Sequence, residues 1–207
     1  GDVYKRQSPD LEFPLRQSGP PSDPNALMRW VRTHVDQAGG LELLPDRDVA
    51  YLRYQADRLL VSRGWCEIPL GRRNVGIKLV GLLDYQAQRN LLLEVLSDRT
   101  PISALPRLVG GDYYHGGILR RNAVEWGISL LGVSDDRTRD TLQRALVEDP
   151  YFEVRAAAAR LLGQCANCNS STEQALIKAL KDACPAVVVE ALGALGNVSV
   201  NGQVLTH

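Results

Sequence analysis

The clearest periodicity in the chain is Val154–Gly163, VRAAAARLLG. Its apolar residues Val154, Ala157, Ala158, Leu161 and Leu162 follow the i, i+3, i+4, i+7, i+8 spacing of one helical face. This predicts a helix built to be packed against, closed by Gly163 as a C′ glycine. The same ten-residue pattern recurs at Val187–Gly196, at Ala123–Gly132 and, less closely, at Val75–Asp84, where Asp84 stands in the closing-glycine column. Between these B-type stretches lie shorter A-type ones, Leu91–Asp98, Thr141–Glu148 and Ala175–Asp182, each ending on an acid.

The columns agree across the units. Leu83, Leu131, Leu162 and Leu195 coincide in B, as do Val75, Ala123, Val154 and Val187, and Leu79 shares a column with the small residues Gly127, Ala158 and Ala191. Leu92, Leu142 and Leu176 coincide in A, as do Leu96, Leu146 and Leu180. Neither helix type can bury its apolar face alone, so stacking of neighbouring units must supply the core. Upstream, Asp23 and Pro24 read as N-cap and N1 of a helix with Leu27, Trp30, Val31, His34, Val35 and Ala38 on one face, ended by Gly39. Asp46 or Asp48 caps a second helix carrying Val49, Leu52, Ala56, Leu59 and Leu60, stopped by Gly64.

The segment LVEDPYFEVRAAAARLLGQ resembles a HEAT repeat, specifically the short type named after phycobilisome lyases. B-helix ends at Gly132, Gly163 and Gly196 give periods of 31 and 33, close to that type. The resemblance implies an all-α, right-handed α-solenoid of about ten helices. Glu190 in a column filled by Ala157, and Arg155 in a column holding Val188, Val124 and Gly76, depart from the pattern.

The expected domains are 1–24, a scar and Pro-rich linker; 25–70, an N-terminal helical pair capping the array; 71–198, the repeat array; and 199–207, a tail. Asp2–Gln7 resembles a translated sequencing adapter of the kind left on metagenomic fragments, so the true start is expected to be missing. Five of the eleven prolines follow within Ser8–Pro24 without a periodic face. One interval breaks the repeat: Leu92 to Leu131 spans 39 positions, against 20 for Leu142 to Leu162 and 19 for Leu176 to Leu195. The excess lies between Arg99 and Arg120, and a loop inserted at 99–117 is expected to project from the A-to-B edge.

Composition narrows the function. The 207 residues are 44% hydrophobic and 23% charged with formal net charge +0, which gives no overall electrostatic case for nucleic acid. No apolar run reaches the length of a membrane span. HExxH, GxSxG, His–Glu pairs and a phosphate loop are all missing from the sequence, so no catalytic residue, metal or cofactor is assigned. Cys165 and Cys168 form a CxxC, but Cys184 lies beyond the next A helix and Cys66 far upstream, so four structural thiols are expected rather than zinc.

Candidate contact residues for a protein partner are Tyr113, Tyr114 and His115, flanked by Gly110, Gly111, Gly116 and Gly117. The pairs Arg72–Arg73 and Arg120–Arg121 occupy matching columns and would make a small basic patch, or alternatively pair with neighbouring acids. The function expected is a non-catalytic, monomeric, cytoplasmic scaffold or adaptor that uses the concave surface and the inserted loop. A bilin lyase-like or other enzyme-accessory protein, and a nucleic-acid-binding solenoid, are the alternatives.

Overall fold

The computed structural model describes residues 21–38, 43–60, 70–99, 111–165 and 169–204. Among them run nine helices and no strand: α1 Pro24–Ala38, α2 Asp46–Leu60, α3 Leu70–Leu82, α4 Arg89–Ser97, α5 over 111–131, α6 Asp136–Glu148, α7 Phe152–Leu162, α8 Ser170–Ala179 and α9 Pro185–Val204. Helix α5 is composite, with a π-helical stretch Ala123–Ile128 between α-helical Gly111–Asn122 and Ser129–Leu131.

The helices form two layers. The A helices α4, α6 and α8 pack in succession, and the B helices α1, α3, α5, α7 and α9 do the same behind them. Each A helix also packs on the B helix that follows it, α2 on α3 through to α8 on α9. This is the α-solenoid expected from the periodicity. Helices α1 and α2, expected as a capping pair, each pack on α3, so that α1 adds one more helix to the B layer.

The aligned columns are the core. Leu92, Leu142 and Leu176 fill the A layer, Ala123, Val154 and Val187 begin the B helices, and Leu79, Gly127, Ala158 and Ala191 line the seam between B neighbours, all buried. Three helices start on the same cap: Asp23 accepts from Ala26 N–H at 2.8 Å, Asp135 from Thr138 N–H at 2.8 Å and Asn169 from Thr172 N–H at 2.9 Å. The last two carry a buried threonine whose hydroxyl donates back to the cap, a local satisfaction of helix-end donors.

Three local expectations are corrected. Gly163 is not a left-handed cap, since its φ is −68°. It is small because Ala194 of α9 crosses it, and a Cβ there would sit 2.6 Å from that of Ala194. The left-handed role falls instead to Asp84, with φ 44°, and positive φ recurs at Gly132 with 75°. Gly196 does not end its helix, because α9 continues to Val204, into the expected tail. The insertion is not a loop throughout: 100–110 lie outside the described residues, but from Gly111 the chain is helical. Gly117, expected to let a loop adapt, lies in that helix and lacks a side chain where the Tyr151 ring packs.

Candidate functional site

Two of the arginines offered as a basic patch, Arg73 and Arg120, are buried, which corrects the patch, and for Arg120 the alternative of pairing with a neighbouring acid holds. Arg120 is 2% exposed; its Nε and a terminal nitrogen donate to both oxygens of Asp149 at 2.8 and 3.1 Å, and it reaches the Asp98 carbonyl at 3.2 Å. One unit later Arg155 repeats the arrangement, donating to both oxygens of Asp182 at 2.7 and 2.9 Å and to the Asp149 carbonyl at 2.7 Å. Each such arginine therefore ties its B helix to its own A-to-B turn through a carbonyl and to the next turn through a carboxylate. Arg73, also buried, occupies the equivalent place in α3, where burial pushes its pKa down and the Asp98 charge opposes that shift. The bonds of Arg120 and Arg155 are fork-to-carboxylate bonds inside the fold, and they join consecutive units.

Sequence alignment hid this ladder because it anchored the B helices at their C-terminal ends. Arg73 precedes Asp84 by 11 residues, Arg120 precedes Gly132 by 12, and Arg155 precedes Gly163 by 8. The single-residue difference between the first two equals the one residue that a π-bulge inserts, and the four residues by which the Arg120 spacing exceeds that of Arg155 are about one helical turn. The acid used is Asp149, not the aligned Glu148, which is exposed. Of the remaining candidates, Arg121 pairs with Glu153 and lies 3.6 Å from Glu125, and Arg72 is exposed.

The outer face of the B layer carries a concavity between α1, α3 and α5. Met28, Val31, Arg32 and Val35 of α1, Lys78 and Leu82 of α3, and Trp126 and Leu130 of α5 line a groove of about 430 Å³. Leu82 and Leu130 stay exposed at 44% and 54%, large apolar side chains left in water at one rim. Lys78 Nζ sits 3.7 Å from the centre of the Trp126 ring, a cation–π contact that fixes both side chains across the α3–α5 seam. Burial, and then the Arg32 charge, push the Lys78 amine below its ordinary pKa. Among the described residues neither cation forms an ion pair.

The seam is tight because of Gly81, one residue before Leu82. A Cβ on Gly81 would overlap the Trp126 carbonyl, so α3 accepts the bulged turn of α5 only with glycine there. Beyond the Trp126–Leu130 ridge lies a second hollow of about 540 Å³, lined by Glu125, Ser129, Arg160 and Gln164 among others. Its charges are already matched: Arg160 donates to both oxygens of Glu190 at 3.1 and 2.7 Å and reaches Glu125 at 3.5 Å.

Tyr113, Tyr114 and His115 fall in the first turns of α5, with their side chains outside the described residues. At 1.5 Å per residue, Tyr114 lies about 18 Å along the helix from Trp126, at the opposite edge of the B layer. His34 donates through Nδ1 to the Trp30 carbonyl at 2.9 Å and stacks on the Trp30 ring, centroids 4.0 Å apart, as a structural side chain. The Cys165 thiol is buried and donates to the Leu161 carbonyl, Cys184 is half-buried, and Cys66 and Cys168 lie outside the described residues. Among the described residues no group of three potential metal ligands forms, and no helix is long and apolar enough to cross a membrane.

Compared with known proteins, the chain matches no curated protein and no solved structure. Residues 139–205, from α6 to the end of α9, match the family model of HEAT repeats. HEAT repeats are commonly protein-interaction scaffolds and typically not enzymes. With paired helices stacked in two layers and that match over its last two units, residues 139–205 of the chain are HEAT repeats.

Proposed function

We propose that this chain is a non-catalytic protein-binding scaffold, and that its groove between α1, α3 and α5 takes a short partner segment carrying aliphatic side chains and a carboxylate. The observation that carries this reading is the pairing of exposed Leu82 and Leu130 with two cations, Arg32 and Lys78, that form no ion pair among the described residues. A carboxylate set beside Lys78 relieves the repulsion between the two cations, and an aliphatic side chain against Leu82, Leu130 and Val35 removes exposed apolar surface from water. A groove of about 430 Å³ suits a few side chains of a peptide rather than a whole domain face. The insertion, with Tyr113, Tyr114 and His115, is proposed as a second contact at the opposite edge; removing residues 101–110 tests it without cutting into α5.

Selection of binders from a random peptide library tests the main reading. Enriched peptides are expected to combine Leu, Ile or Val with Asp or Glu, and to lose at least tenfold in affinity on Leu130→Asp, about 1.4 kcal/mol. Enrichment of basic peptides, or binding indifferent to Leu130→Asp, contradicts it.

A further inference from the structure

Residues 1–20 lie outside the described residues, and their sequence matches the chemistry of the groove between α1, α3 and α5. Asp10–Leu15, DLEFPL, sets the acids Asp10 and Glu12 among the apolar residues Leu11, Phe13 and Leu15. In an extended chain that spacing sends the three apolar side chains to one side and both carboxylates to the other, and Pro14 favours extended backbone at Phe13. The groove offers the complement: Val35, Leu82 and Leu130 supply apolar surface, and Arg32 and Lys78 supply positive charge.

Length and connection favour this stretch over the others. Of the remaining segments outside the described residues, 39–42 and 61–69 hold one acid each, and 100–110, 166–168 and 205–207 hold none. Only 1–20 alternates two carboxylates with large apolar residues. It also runs directly into the groove wall, because Pro21 leads through the Asp23 cap into α1, whose Met28, Val31, Arg32 and Val35 form that wall. The nine residues from Glu12 to Pro21 reach about 30 Å when extended, while α1 and α5 are two interhelix spacings of about 10 Å apart.

We infer that the groove between α1, α3 and α5 is occupied by the chain's own Asp10–Leu15, with Asp10 and Glu12 toward Arg32 and Lys78 and the apolar residues against Leu82 and Leu130. This occupant rests on the proposed function of the groove as a site for a short aliphatic and acidic segment, and a partner then enters by displacing Asp10–Leu15. A tether of this kind holds the segment at an effective concentration of about 1 mM. A segment with an intrinsic dissociation constant of about 0.1 mM therefore fills the groove about nine-tenths of the time and weakens a competing peptide about tenfold.

Zero-length carbodiimide coupling of the whole chain, read by peptide mass spectrometry, tests this inference. The sequence holds four lysines, Lys5, Lys78, Lys178 and Lys181, and Lys78 is the one that lines the groove. An amide between Asp10 or Glu12 and Lys78 is expected, with none to Lys178 or Lys181, at a yield that stays constant from about 1 to 100 µM chain because both groups belong to one molecule. The double substitution Asp10→Lys with Glu12→Lys should raise the affinity of a library-selected peptide at least threefold. Absence of the Lys78 amide, equal coupling to Lys178 and Lys181, a yield that climbs with chain concentration, or a peptide affinity unchanged by the double substitution would each overturn the inference. The groove reading is judged separately: it survives such a result if the peptide still loses tenfold on Leu130→Asp, and falls with it if that substitution has no effect.

Discussion

The two halves of the B layer are built from the same repeat and present opposite surfaces. Between α5, α7 and α9 the charges that line the hollow have partners, Arg160 meeting Glu125 and Glu190, and Arg121 likewise meets Glu153 and Glu125. Between α1, α3 and α5 the cations Arg32 and Lys78 stand beside exposed leucines. The difference arises in α5, where the π-helical stretch and the extra turn shift the register so that Trp126 and Leu130 form the ridge between the halves. Satisfied charge on one side and unsatisfied charge with apolar surface on the other teach that the repeat supplies the frame, and its irregular member supplies the groove. π-Bulges often lie at functional sites, and here the bulge borders the groove directly.

The most damaging break in the satisfied half is Ala158→Asp, which places a charge in the fully buried seam with no cation to meet it; a loss of several kcal/mol is expected, read as unfolding or a collapse of the melting temperature. Next is Asp149→Ala, because Asp149 accepts from both Arg120 and Arg99 and its removal leaves a buried guanidinium unpaired; denaturant titration should show a loss of about 3–5 kcal/mol. Gly81→Ala tests the open half: overlap with the Trp126 carbonyl should cost about 1–3 kcal/mol. Gly193→Ala, where a Cβ meets nothing, should instead stabilise by up to about 1 kcal/mol. If the two glycine variants behave alike, the close approach of α3 to the bulge is wrong.

Acid titration sharpens the ladder. Hydrogen bonds from Arg155 hold the Asp182 carboxyl below the usual carboxylate range, even though burial acts against them. A depressed folded-state pKa gives stability that is present above about pH 4 and lost as the pH falls through the lower folded value. The difference in melting temperature between the unsubstituted chain and Asp182→Asn should therefore be widest near neutrality and close at low pH. The smallest effect belongs to Arg160→Ala, a half-exposed ion pair, within about 0.5 kcal/mol. Ala158 and Arg160 are two residues apart, so equal losses from their substitution would contradict the helical register itself.

The fold was legible because it rests on leucine and alanine columns, and a 3.6-residue period survives small errors of alignment. Leu92, Leu142 and Leu176 needed only their spacing to be placed in one layer. The surface was not legible for the complementary reason. One bulged residue and one added turn in α5 moved Arg120 away from the column shared with Arg155, so two residues doing the same work read as unrelated. Aligned as a surface pair with Arg121, Arg120 looked like a contact residue, whereas its fork is spent on Asp149 inside the fold. Trp126 and Lys78 went unnoticed because they meet only through the packing of α3 on α5, 48 residues apart in the chain. A cation and an aromatic at that separation leave no local pattern.

The most direct test of the contrast between the two halves is a pair of charge reversals, Lys78→Glu and Arg160→Glu, each measured by calorimetry against one library-selected peptide carrying aliphatic and acidic residues. Lys78→Glu is expected to weaken binding at least tenfold, and by less at high salt, while Arg160→Glu changes it by less than about twofold. Equal losses from both, or a larger loss from Arg160→Glu, would show that the partner does not use the groove between α1, α3 and α5.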